Sequence, residues 1–107
     1  MANSEMDYMN IGKGNIKNND GDIAQIRCFS KTASFSNGNA TIPISDFEGV
    51  TTIDCAFAEI RNSNFTVVCR AQISGSNLSI RALNCTVSPP TGYTESNVTV
   101  DILLVYR

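Results

Sequence analysis

Four cysteines, Cys28, Cys55, Cys69 and Cys85, and ten carboxylates are the side chains here best suited to covalent, acid–base or metal chemistry. Histidine is missing entirely. That removes Ser–His and Cys–His nucleophile pairs and imidazole metal ligands. No two cysteines have C-x-x-C spacing, so a zinc site has neither its thiolate pairs nor its imidazoles. What remains is disulfide chemistry or none. If 50–60 and 65–73 form a hairpin, Cys55 faces Cys69 on the core side and the two are placed to bridge. The first ten residues show no basic segment followed by an apolar one, so a secretory signal is not expected. Synthesis in a reducing compartment favours free thiols, which pack as small hydrophobes.

The carboxylates are no better organised. Asp46 and Glu48 share one loop, and Asp54 and Glu59 share one strand. Paired acids can hydrolyse glycosides, but a domain this small offers little cleft for a sugar chain. Residues 18–22, NNDGD, have some of the look of a calcium loop. With Gly21 as the sixth loop position, Ile16 falls first and Arg27 twelfth, where acids are required. A turn is the simpler reading. GKG at 12–14 lacks the spacing and the Ser/Thr of a phosphate loop. Five Asn-x-Ser/Thr sequons, at Asn39, Asn64, Asn77, Asn84 and Asn97, read as compositional without a secretory signal. Metal and cofactor sites are therefore not expected, and the chain reads as non-enzymatic.

Recognition has one better candidate. Residues 87–97, VSPPTGYTESN, form the longest expected loop. Pro89 and Pro90 stiffen it, and Pro90 is a candidate for a cis bond. Pro90, Thr91, Tyr93 and Glu95 form the candidate ligand loop, with Tyr93 suited to stack on a sugar or to pack into a partner. The alternative is a plain crossover in which Tyr93 covers the edge of the core.

These side chains must be carried by strands. Val, Ile, Thr and Phe fill the apolar positions, which suits pleated, half-buried strands better than helices. Residues 1–22 show no period and read as an extended N-terminal arm, with Tyr8, Met9, Ile11 and Ile16 as apolar anchors for a partner. A frayed terminus is the plainer reading. The domain then runs from 23 to 107. Asn37-Gly38 between two apolar runs is a strong hairpin signal of type I′. Pro43 places 40–44 at an edge or a strand end, and Phe47 is expected to plug the core. Along 50–60 the alternation puts Ile53, Cys55 and Phe57 on one face. The turn at 74–77 sets a register in which Ile73, Ala71 and Cys69 oppose Leu78, Ile80 and Ala82, so apolar meets apolar at each step. Gly75, first of the two central residues, suits type II′. The last strand, VTVDILLVYR, puts Val98, Val100, Ile102, Leu104 and Tyr106 on one face and Leu103 and Val105 on the other. Exposed, it is an aggregation hazard. It must be central and covered on both faces, or sit in a subunit contact. The preferred reading makes it central, with Leu103, Val105 and Arg107 on an outer face that touches another chain. The expectation is an all-β, antiparallel sandwich of about seven strands, jelly-roll or Ig-like.

The whole chain has 107 residues, one domain's worth. Its formal net charge is -2, and its isoelectric point is near 4.9. A phosphate-backbone binder needs a basic face, so nucleic acid is not an expected partner. No apolar run is long enough for a membrane span.

The stretch from Ser34 to Arg107 carries a Gly-x-Ala-x-Ile start at 38–42, a plug at Phe47 and a Gly75-Ser76 hairpin. It ends on the Val-x-Val-x-Ile-Leu-Leu-Val run at 98–105. In this it resembles the small virion modules of tailed phages: head-decoration proteins, tail-fibre tips and baseplate appendages. The resemblance implies a structural virion protein, often a homotrimer, attached to other virion proteins by its arm and assembled in the host cytoplasm. The alternative from the same resemblance is a carbohydrate-binding, receptor-recognition module that meets a cell-surface glycan.

Overall fold

A computed structural model describes residues 13–17, 23–61 and 66–107. The strands are β1 (Lys13–Lys17), β2 (Ile23–Phe35), β3 (Asn39–Pro43), β4 (Ile53–Ile60), β5 (Val67–Ser74), β6 (Asn77–Asn84), β7 (Thr91–Gly92) and β8 (Glu95–Tyr106). They form two antiparallel sheets, β1-β2-β8-β4 and β3-β6-β5, with the short β7 beside β6. This is an antiparallel β-sandwich.

The core follows from parity. β8 turns Val100, Ile102, Leu104 and Tyr106 inward, and β6 turns Leu78, Ile80 and Ala82 inward. The three β6 residues are 0% exposed. Burying each of the larger two contributes about 1.5–3 kcal/mol. Phe47 is 1% exposed and lies edge-on to Phe29 at 5.1 Å between centroids, the expected plug. Pro43 is the last residue of β3, an edge strand.

The β5–β6 hairpin has the expected register, from Ser74↔Asn77 to Cys69↔Ala82. Gly75 has φ +60°, which a type II′ turn requires at its first central residue. Asn37 and Gly38 have φ of 50° and 84°, the signs of a type I′ turn. Yet only Ser36 and Asn39 pair across it. Beyond that bridge β2 joins β8 and β3 joins β6. The turn thus carries the chain from one sheet to the other.

Three expectations are corrected. First, β4 and β5 do not pair as a hairpin; they are edge strands of different sheets. Cys55 therefore does not bridge to Cys69, and all four cysteines are free thiols. Second, Cys55 and Phe57 do not share the inward face with Ile53. The register shifts between Ile53 and Cys55, and an extra residue there flips everything that follows. Ile53 is buried and Phe57 is 61% exposed. Third, 87–97 is not one open loop. Thr91–Gly92 pairs with β6 and β8 begins at Glu95. The cis peptide bond precedes Pro89 rather than Pro90.

Lys13–Lys17, inside the stretch expected as an arm, pairs along β2 from Lys13↔Arg27 to Lys17↔Ile23. Tyr8, Met9, Ile11 and the 18–22 turn lie outside the described residues. The backbone of Ile16 is opposite Ala24.

Candidate functional site

The outer face of the four-stranded sheet is the clearest candidate surface. β8 is its central strand, flanked by β2 and β4. The register aligns side chains in rows across the three strands. Cys28, Leu103 and Phe57 form one row, and Ile26, Val105 and Cys55 the next. Cys28, Cys55 and Phe57 are exposed, and Leu103 is half-buried. Val105 is 8% exposed although it lies outside the continuous core. Phenylalanine, leucine and cysteine thus form an outward apolar row, a surface that gains by being covered.

A polar row bounds this patch. Ser30, Asp101 and Glu59 are in register. Arg61, just past β4, donates Nε to Asp101 Oδ2 at 3.0 Å and Nη2 to Asp101 Oδ1. Nη2 also reaches Ser30 Oγ at 3.0 Å, and Ser30 Oγ donates to Asp101 Oδ1 at 2.8 Å. The two-point guanidinium contact is the strong form of this pair. Hydrogen bonds from Arg61 and then Ser30 hold the Asp101 carboxyl below its ordinary range. Arg61 is raised in turn, by its hydrogen bond to Asp101 first.

Arg107, expected at the interface with Leu103 and Val105, contacts its own chain. Its Nη2 lies 3.0 Å from Asp54 Oδ1. Its backbone accepts from Thr51 and Thr52 and donates back to Thr52 O. This latch ties the chain end to the segment before β4.

The candidate ligand loop is arranged around a different task. Tyr93 N donates to Ala82 O at 3.0 Å, and Gly38 N donates to Tyr93 O at 2.8 Å. The Tyr93 ring is edge-on to Phe35 at 5.6 Å, and burial pushes its hydroxyl pKa up. A Cβ at Gly92 would stand 2.5 Å from Asn37 C, so only glycine allows this approach. Pro90, Thr91 and Glu95 are exposed beside it. Tyr93 thus covers the end of the core.

Asp46 and Glu48 are exposed. Lys31 Nζ donates to Asp46 O at 2.6 Å and not to its carboxylate. Among the described residues, no three His, Cys, Asp or Glu side chains come together as a metal site. No described helix is long and apolar enough to cross a membrane.

Sequence reasoning found Leu103 and Val105 but missed Phe57, Cys28 and Ile26 on the same face. The signal for Cys28 and Ile26 was the even parity they share on β2. Phe57 carried no such signal, because the bulge hides its direction. No family model, curated protein or solved structure matches the chain.

Proposed function

We propose that this chain is a non-enzymatic structural protein of a phage virion, in the manner of a decoration or fibre module. In this reading it assembles as a homo-oligomer, with a trimer favoured, through the outer face of β2-β8-β4. The carrying observation is Phe57, 61% exposed and in register with Leu103 and Cys28. A chain with 17% charged residues has little to keep such a patch apart from its like in solution. The resemblance of 34–107 to virion modules supplies the setting.

The test is light scattering behind size exclusion on the full chain. We expect a mass near three times 11.6 kDa, and for Phe57→Asp a monomer that still unfolds cooperatively, at a lower temperature because assembly no longer stabilises it. A monomeric parent at all concentrations, or a Phe57→Asp variant that still assembles, overturns the assembly reading. Immunogold labelling of virions tests the setting, and unlabelled particles overturn it. A glycan-binding role for 90–95 has weaker support, because the Tyr93 ring is packed on Phe35.

A further inference from the structure

The opposite face of the sandwich carries a different feature. In the β5–β6 ladder Arg70 is directly opposite Arg81. Such neighbours stand with Cβ atoms about 5 Å apart, and like charges so placed are destabilising. Among the described residues neither arginine makes an ion pair. Arg81 Nη1 is held by Asn39 Oδ1 at 3.1 Å, across to β3. Two of the eight cationic residues thus stand side by side with no carboxylate paired to them among the described residues. Local rules are broken in this way where a ligand repays the cost.

Both arginines line a depression of about 460 Å³ on the outer face of β3-β6-β5. That volume lies within the range of small-molecule sites. Asn39, Gln72 and Ser79 bring amide and hydroxyl groups to the same wall, suited to sugar hydroxyls as donors and acceptors. Val68 and Leu83 supply an apolar end for the C–H face of a ring. A guanidinium fork matches a carboxylate in two-point geometry.

We propose that this arginine-lined depression binds a carboxylate-bearing sugar, with Arg70 and Arg81 on the carboxylate. The acidic balance of the whole chain, net charge -2, argues against a phosphate polymer as the ligand. The proposal does not rest on assembly, since the site is on the other sheet.

The experiment is calorimetric titration of the full chain with tri-galacturonate at low salt. Its methyl ester, tri-glutamate and inorganic phosphate are titrated alongside. Tri-galacturonate is expected to bind. Arg70→Gln and Arg81→Gln should each weaken it roughly tenfold or more. Arg70→Lys should also weaken it, because the charge stays and the fork is lost. Arg70→Gln should not melt below the parent, because it removes a repulsion and no side-chain partner among the described residues. Phe57→Asp should bind as the parent does, which separates this site from the assembly face. The proposal is overturned by any one of four results: no binding of tri-galacturonate, equal binding of its ester, tri-glutamate or phosphate binding as tightly, or Gln variants that bind unchanged.

Discussion

Asp101 shows how one residue on a central strand is made to fit. It is half-buried on β8, with Glu59 opposite on β4 and Ser30 opposite on β2. Without Arg61, two carboxylates would stand side by side on one face. The guanidinium relieves this from beyond the end of β4, and its backbone N–H is fixed to Thr99 O at 3.0 Å. The Asp101 pKa lies below its ordinary value through Arg61 and Ser30. A depressed carboxyl contributes stability that is present above the unfolded-state pKa, about 3.9, and is lost as pH falls through the folded value. The contribution is small, since both partners are well exposed to solvent. Asp101→Asn should therefore melt somewhat lower than the parent at pH 7. The gap should close as the pH is taken below about 4. Thermal melts across that range check this, and a gap that persists in acid would remove the carboxylate from the explanation.

At the scale of elements, the two hairpin signals had different outcomes. The β5–β6 hairpin was legible in full. Its turn residues and its alternation agree, and the parity that aligned Ala71 with Ile80 also aligned Arg70 with Arg81. The latter row carries no local signal of its own, since exposed polar residues alternate in any half-buried hairpin. The β8 strand was legible too, since its inward face is unbroken from Val98 to Tyr106. What was not legible is where a strand changes sheet. Asn37-Gly38 formed its turn, yet the partners of β2 and β3 are β8 and β6, chosen by long-range burial that no local pattern contains. β4 failed for a different reason. Both of its parities are apolar, Cys55 and Phe57 against Ala56 and Ala58, so alternation alone could not place it once a bulge intervened. A consequence can be measured on the legible hairpin. Ile80 is fully buried at the centre of the core, while Ile73 is 39% exposed near the turn. Ile80→Ala should cost about 2–5 kcal/mol in urea unfolding, the range for a large-to-small change in a packed core. Ile73→Ala should cost well under half of that. Equal costs would mean that the turn end of this hairpin is covered by something beyond the chain itself.

At the scale of the whole molecule, the two sheets present unlike outer surfaces. One offers an apolar row bounded by the Arg61–Asp101 pair, and the other offers two adjacent arginines that make no ion pair among the described residues. A sandwich of this kind can hold a neighbour with one face and a ligand with the other. The free cysteines report on the first face. Cys28 and Cys55 are exposed on it, Cys85 is exposed after β6, and Cys69 is half-buried with its thiol pKa pushed up by burial. Alkylation proceeds through the thiolate, so Cys69 should be slow in every state and Cys85 fast in every state. Cys28 and Cys55 should be slow in the assembled protein. In Phe57→Asp they should become as fast as Cys85, a gain of roughly tenfold or more if assembly covers them. Peptide mass mapping after a short iodoacetamide pulse reads all four at once. If Cys28 and Cys55 react as fast as Cys85 in an assembled parent, the chains meet through some other surface, and the exposed Phe57 row has a different occupant.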